Sequence, residues 1–545
     1  MLKITINKKI YEVQEKTTLK SLADTLKIKP YVAKVNKSLR ELNYELIKDS
    51  EVEFLYLDNG DAVRIYEASL RYVIAMAIYN LYPEAKVSFN YNISRAILAI
   101  VKCCEVEINQ DFLNKVEAEV KRIVKLDLAF ERRLLPFEAA QVVYEKQNML
   151  DKSQLLRHRE EEHVNLYECS GYYNYMYSLM VPSTGYLSDF KLFLYGAGFI
   201  IQYPRSEEKG IIPSFVQAPT FSEALKDAAR WGKITGGNSI AKMNHYALKR
   251  SSAIDFVNLC ETKHSNDLYK LAKNISDRRS EIKMICIAGP SSSGKTTFAA
   301  RLRITLMSLG LRPVMVSIDN YYKAKSEAPL DENGQPDLEH IEALNIKRFN
   351  DDMLALTEGK EVRLPIFNFK RSMTEDGPLV KIDENTPIII EGIHALNDIL
   401  TESIPRNNKF KIYIAPQTQL HIDDHNPISI TDLRLLRRLV RDSKYRNAPA
   451  TETMSMWSSV RRGEFKWIYP FQEGADFVFN TELSYEFSVL KKHALTQLQA
   501  VGRDSEHFIT ANRLVKFLKY FVDINDELVP SNSLLREFIG GSGFH

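Results

Sequence analysis

Apolar and polar residues alternate at the start of the chain. Lys3 to Ile6 and Ile10 to Val13 predict two short strands, Leu19 to Leu26 a helix, and Val32 to Val35 and Val52 to Leu57 further strands. Much later the pattern changes to unbroken apolar runs, which suit strands buried on both faces: Met284 to Ala288, Val314 to Ile318 and Pro387 to Ile390. After the first of these, Phe298, Leu302, Leu306 and Leu309 fall at helical spacing across Thr297 to Leu309. Residues 206–276 predict a helical connecting segment without a sharp motif. Residues 491–545 predict a helical tail as far as Asn525, ending in Gly540-Gly541-Ser542-Gly543. The pattern predicts an α/β class, with a parallel sheet in the second half and smaller α+β modules in front.

Between the first buried run and its helix stand Gly289-Pro290-Ser291-Ser292-Ser293-Gly294-Lys295-Thr296, which fit G-x-x-x-x-G-K-[ST]. Strand, glycine-rich turn and helix let successive backbone N–H groups surround phosphate oxygens at a helix N-terminus. Residues 289–297, through Thr297, are therefore the candidate ATP-binding stretch. Lys295 is the charge on the β/γ-phosphates and Thr296 the hydroxyl ligand of Mg²⁺. Asp319 ends the second buried run and Glu391 the third, where the ligand crevice of an open parallel sheet lies. Asp319 can take the proton of an attacking hydroxyl or support Mg²⁺, and Glu391 adds a second acid beside the metal. In Asp432 to Asp442, Arg434, Arg438 and Arg441 share one helical face, and leucines fill much of the other. That spacing predicts a mobile lid that closes guanidiniums on a transferring phosphate.

Composition narrows the function classes. A chain of 545 residues is too long for one core, and a formal net charge of +3 gives no support to an extended nucleic-acid or membrane-binding surface, while local basic faces stay open. Five scattered cysteines without C-x-x-C argue for reduced thiols rather than a disulfide frame or zinc site. No stretch approaches the ~18 apolar residues of a membrane span, and Met1 to Val13 lacks the pattern of a signal peptide; the cytoplasm is expected. His158 and His163 sit five apart and would not share a helical face. His421 and His425 could share one, but Asn426-Pro427 favours a turn.

Resemblances sharpen these readings. Residues 1–62 resemble the ubiquitin-like TGS domain, including Ala33 to Lys37 and Leu39 to Leu42. Residues 63–205 resemble the second N-terminal domain of threonyl-tRNA synthetase. Ala77 to Pro83, Leu128 to Arg132 and Val181 to Gly185 carry that likeness. The synthetase domain edits mischarged tRNA with an H-x-x-x-H pair and a later Cys and His. Here Tyr72 and Met76 stand at the first two positions and Met180 at the later His, so the resemblance implies a degenerate editing module.

Residues 277–490 resemble the uridine kinase and phosphoribulokinase family. The matching segments are Gly289 to Thr297, Asp319 to Lys323, Asp331-Glu332-Asn333-Gly334, Leu364-Pro365, Glu391-Gly392-Ile393 and Arg437 to Asp442. The resemblance implies ATP-dependent phosphorylation of a ribonucleoside 5′-hydroxyl. Asp319 is the expected base, Lys295 and Thr296 serve the phosphates and Mg²⁺, and Tyr322, Phe367, Arg438, Arg441 and Arg446 surround substrate and phosphate. Phe367 and Ser372 replace the Tyr and His with which uridine kinases contact the base, and Ala448 replaces a family arginine. A phosphoribulokinase-like sugar-phosphate kinase and an RNA-associated regulatory NTPase remain alternatives. Binding of tRNA through the front domains, and a homo-oligomer, stay open.

Overall fold

The computed structural model describes residues 1–102, 106–156, 162–331, 334–368, 371, 373–383 and 386–544. Two of the five cysteines, Cys103 and Cys104, and His158, Glu332, Asn333 and Ser372, named above, lie outside the described residues.

The first sheet has the order Lys9–Val13, Leu2–Ile6, Ser50–Leu55, Val32–Val35, Ser38–Arg40. The last of these strands is absent from the sequence expectation. It pairs back across Asn36 and Lys37, both at positive φ (47° and 61°), the conformation that a tight hairpin turn demands. Thr18 starts the helix Leu19–Thr25 by accepting from the Ser21 N–H at 3.1 Å. A long helix, Gly60–Leu81, then runs through the front core with most of its residues buried, so the junction expected at residue 62 falls inside a continuous helix. Around it lie a sheet ordered Lys191–Tyr195, Gly198–Gln202, Ala96–Lys102, Lys86–Ile93 and a three-stranded sheet of Tyr172–Asn174, His163–Cys169 and Glu131–Pro136.

Residues 206–276 supply the helices Pro219–Thr235 and Ile240–Ala247 and most of Arg250–Asp277. The second half is built on a five-stranded sheet ordered Val314–Ser317, Ile388–Glu391, Met284–Ala288, Lys409–Ala415, Phe477–Asn480, with every neighbouring pair parallel. One face packs on the helices Arg250–Asp277, Lys295–Ser308, Ile430–Arg446 and Glu486–Gln499. The other packs on Ile346–Thr357 and on Ala96, Leu98 and Ile200 from the front sheet. Residue 490, the expected end of the catalytic region, lies within Glu486–Gln499.

The segment 421–427 is a small hairpin rather than a helix, so His421 and His425 do not form a same-face ligand pair. It inserts into the front half, where Asp423 pairs with Lys152 at 2.5 Å, both side chains essentially buried. The Phe89 N–H donates to the Asp424 carbonyl at 2.8 Å, and Arg71 donates to the His425 carbonyl. Removing one partner of such a buried pair costs about 3–5 kcal/mol, which ties the two halves of the chain together. Among the described residues no helix is long and apolar enough to cross a membrane.

Candidate active site

The strand Met284–Ala288 delivers the chain to residues 289–294, and the helix Lys295–Ser308 begins directly after them. Two glycines make the turn. A Cβ on Gly289 would lie 2.1 Å from the Ile414 carbonyl oxygen, and Gly294 sits at φ +91°. The Lys295 ammonium donates to the carbonyls of Gly289 and Pro290 at 3.0 and 3.2 Å. Burial lowers its pKa, against the attraction of Glu391, Asp319 and Glu537. The hydroxyls of Ser292, Ser293 and Thr297 are buried and have no protein partner. Buried polar groups are nearly always satisfied, so two loop hydroxyls and one in the first turn of the helix left without protein partners among the described residues fit a phosphate ligand. Thr296 is exposed at the head of the helix.

Asp319 lies in the single turn Ile318–Tyr321 that follows Val314–Ser317. Asp319 keeps an exposed side chain, and the crowding of protein around its carboxyl raises the pKa against the charges of Lys295, Arg446 and Arg441. Glu391 is in register with both Ile287 and Ser317, which puts it at the carboxyl edge beside the loop strand, and it accepts from the Ser317 hydroxyl at 3.2 Å. Burial, reinforced by Asp319, pushes its carboxyl up to about 7. Lys295, Asp319 and Glu391 thus form one electrostatic cluster. Among the described residues no group of three or more His, Cys, Asp or Glu could hold a metal ion. A divalent ion held by Thr296 and Glu391 would therefore draw its remaining ligands from phosphate oxygens and water, as Mg²⁺ commonly does.

The arginine helix departs from the expected lid. Ile430–Arg446 is buried on most sides. Arg434, 1% exposed, donates to the Ser291 carbonyl at 2.9 Å and to Glu464 at 3.0 Å. Arg437, fully buried, forms a bidentate pair with Glu486 at 2.6 and 2.9 Å and reaches the carbonyls of Ser292 and Ser293 at 3.4 Å each. These two hold the loop from behind, because buried guanidiniums require fixed acceptors. Arg438 donates to the Ser291 hydroxyl at 2.9 Å and to Asp442 at 3.2 Å. Arg441 and Arg446 also gather on Asp442, at 3.0 and 3.5 Å. The helix is a core element whose residues 438, 441 and 446 surround one buried carboxylate.

Opposite the loop, the hairpin Val362–Asn368 and Met373–Val380 brings Phe367 beside Tyr322, ring centroids 6.0 Å apart. The Phe367 N–H donates to Asn320 at 3.2 Å. Sequence reasoning missed Glu339, whose carboxyl burial pushes up to about 7, against the charges of Arg438 and Lys295. Gly463 admits it, since a Cβ there would lie 2.5 Å from the Glu339 Cβ. It also missed Glu537, which accepts from the Thr297 N–H at 3.1 Å. In the front half, Tyr72 is buried with its hydroxyl donating to the carbonyls of Tyr167 and Tyr172, while Met76 and Met180 are core residues.

Residues 284–484 match the model of the phosphoribulokinase / uridine kinase family. This segment is a domain of that family. The uridine kinase of Halobacterium salinarum is 27% identical over 195 residues, which are 36% of this chain and 78% of that protein. That of Borrelia hermsii is 29% identical over 201 residues, 36% of this chain and 85% of the relative. The N-terminal region instead matches threonine–tRNA ligases. That of Fusobacterium nucleatum is 32% identical over 178 residues, 32% of this chain and 28% of the ligase. The chain thus spans less than a third of the length of the ligases it resembles, and a region similar to part of them precedes the segment that matches the kinase family.

Proposed function

We propose that the chain is an ATP-dependent kinase that transfers the γ-phosphate of ATP to the 5′-hydroxyl of a ribonucleoside. The observation that carries this reading is the carboxyl edge of the parallel sheet, where the strand leading into residues 289–294 ends beside Glu391, in register with Ile287 and Ser317, and beside the turn that holds Asp319. Residues 289–297 would cradle the ATP phosphates, and Thr296 with Glu391 would hold Mg²⁺, which when bound neutralises charge on the phosphate oxygens. Asp319 takes the proton of the acceptor hydroxyl as its oxygen bonds to the γ-phosphorus and the bond to ADP breaks. The raised pKa suits it to that task. Lys295, Arg438, Arg441 and Arg446 bear the charge that spreads over the transferring group. Tyr322, Phe367 and Glu339 would line the acceptor side. A phenylalanine at 367 offers the base a ring face but no hydroxyl, which argues against strong pyrimidine selection by a phenol at this position. The test is acceptor-dependent ADP release across a panel of ribonucleosides and sugar phosphates, with Lys295→Ala as the inactive control. Turnover only with sugar phosphates would replace the acceptor class, and near-normal turnover by folded Lys295→Ala would remove the mechanism.

One observation favours a second reading, an NTPase associated with RNA. A cavity of about 1150 Å³ opens between the front half and the C-terminal helices, lined by Arg40, Arg132, Arg503, Lys516 and Lys519 among others. Cationic clefts of this kind concentrate polyanions. Slow ATP hydrolysis without an acceptor, stimulated by RNA, would favour it.

A further inference from the structure

Beyond Asn525, where the sequence predicts the helical tail to stop, residues 526–544 are packed against the rest of the chain rather than trailing from it. They fold into a compact knot on the phosphate loop. Arg536 ties the knot together by donating to the carbonyls of Asp526, Val529 and Gly540, and the Gly543 N–H closes it on the Ser531 carbonyl at 2.8 Å. Within it, Leu534, Leu535, Phe538 and Ile539 are buried. The knot is fastened to the arginine helix by Lys444, which donates to the Ile539 carbonyl, and by the Arg437 guanidinium, 5.1 Å from the centre of the Phe538 ring.

Two contacts fall on the loop itself. Leu534 lies directly against Gly294, where an added Cβ would come within 2.5 Å of its Cδ2. Glu537, on the one-turn helix Arg536–Ile539, sets its carboxylate on the Thr297 N–H at 3.1 Å. Thr297 is the third residue of a fourteen-residue helix, so its N–H has no intrahelical partner and points at whatever anion the helix N-terminus holds. A side-chain carboxylate and a phosphate compete for such a donor because both are anionic oxygen acceptors. The Glu537 charge also acts on Lys295, the residue assigned to the β/γ-phosphates.

We propose that residues 526–544 are a latch over the phosphate loop and that Glu537 is an internal competitor for the phosphate at the Thr297 amide. Phosphate binding displaces the Glu537 carboxylate from Thr297 and loosens the knot. The affinity of the resting chain for nucleotide is lowered by the same amount. The proposal rests on the reading of residues 289–297 as a phosphate site, but not on the identity of the acceptor.

The test uses the full chain and two probes, pyrophosphate and ATP, titrated calorimetrically against wild type, Glu537→Gln, Glu537→Asp and, as a control on the same segment, Glu527→Gln. Gln keeps the shape without the charge; Asp keeps the charge but falls one methylene short. Both Glu537 variants should bind each probe about tenfold more tightly, the worth of one charge-assisted hydrogen bond, and Glu527→Gln should match wild type. On wild type, pyrophosphate should speed hydrogen exchange across 531–544, a measurement that stands even if a variant folds poorly. Unchanged or weaker affinity in the folded Glu537 variants, or slowed exchange in that segment, overturns the latch. Absence of binding by wild type and variants alike overturns the phosphate site itself, and the latch with it.

Discussion

Asp442→Asn tests whether one buried carboxylate organises the phosphate-facing arginines. Asp442 is fully buried and meets Arg438 at 3.2 Å, Arg441 at 3.0 Å and Arg446 at 3.5 Å. Asparagine preserves the shape and one acceptor oxygen but removes the charge. The cost is unequal across the three. Arg438 is 8% exposed and has no other acid among its hydrogen-bond partners within the described residues, so unpairing it carries the penalty of a broken buried pair, about 3–5 kcal/mol. The Arg441 and Arg446 side chains are 19% and 58% exposed and regain water, which limits their share to about 0–1 kcal/mol each. The sum is about 5 kcal/mol, which at about 2–4 °C per kcal/mol for a large domain lowers Tm by roughly 10–20 °C. Loss of aim should matter more to catalysis than to binding, because an ångström of misplacement costs about 100-fold in rate. Thermal unfolding gives the first number and acceptor-dependent ADP release the second, with ATP affinity measured separately. A variant with wild-type Tm and kcat within threefold of wild type would refute the account of Asp442 as the organiser of the arginines.

Three further outcomes follow from the same geometry. Asp319→Asn should lower kcat by about 100-fold or more with modest change in ATP affinity; lost affinity with kcat retained would move Asp319 to a metal-binding or structural role. The raised pKa of Glu391, from 4.5 to about 7, means the fold favours its protonated form. That contribution is complete below pH 4.5 and is lost as pH climbs through about 7. Glu391→Gln should therefore unfold at higher temperature than wild type at pH 8, by about 1–3 kcal/mol of stability, and match it near pH 4; an equal difference at both pH values would contradict the shift. With Tyr72, Met76 and Met180 packed as core, the chain should not deacylate mischarged threonine tRNA, and protein-dependent release of the amino acid would overturn that expectation.

The parts of this molecule that sequence reveals are those whose chemistry is local. Residues 289–297 declare themselves because strand, glycines, lysine and helix are contiguous, and Asp319 and Glu391 because a buried apolar run marks where its strand ends. The fourth strand of the parallel sheet, Lys409–Ala415, is hidden for the opposite reason. Lys409 and Lys411 interrupt its apolar run, and both are buried only because Thr401, Leu396 and Asp398 supply acceptors for their ammonium groups. The strand Ser38–Arg40 is hidden by its length.

Periodicity places Arg434, Arg437, Arg438 and Arg441 on a helix but cannot say what packs on each face, and that decides their roles. Glu464 lies 30 residues after Arg434 and Glu486 lies 49 after Arg437. With those acids, two arginines become internal supports of the loop, while 438 and 441 remain beside Ser291 and Asp442. The separation is larger still for Glu537, 240 residues from Thr297. A glutamate near a glycine-rich terminus carries no local signal of phosphate chemistry; it acquires one only because Leu534 and Phe538 bury themselves against Gly294 and Arg437. On the proposed reading, the loop's hold on anions is written in a contiguous motif, whereas its control is written in packing between residues 240 apart in the chain.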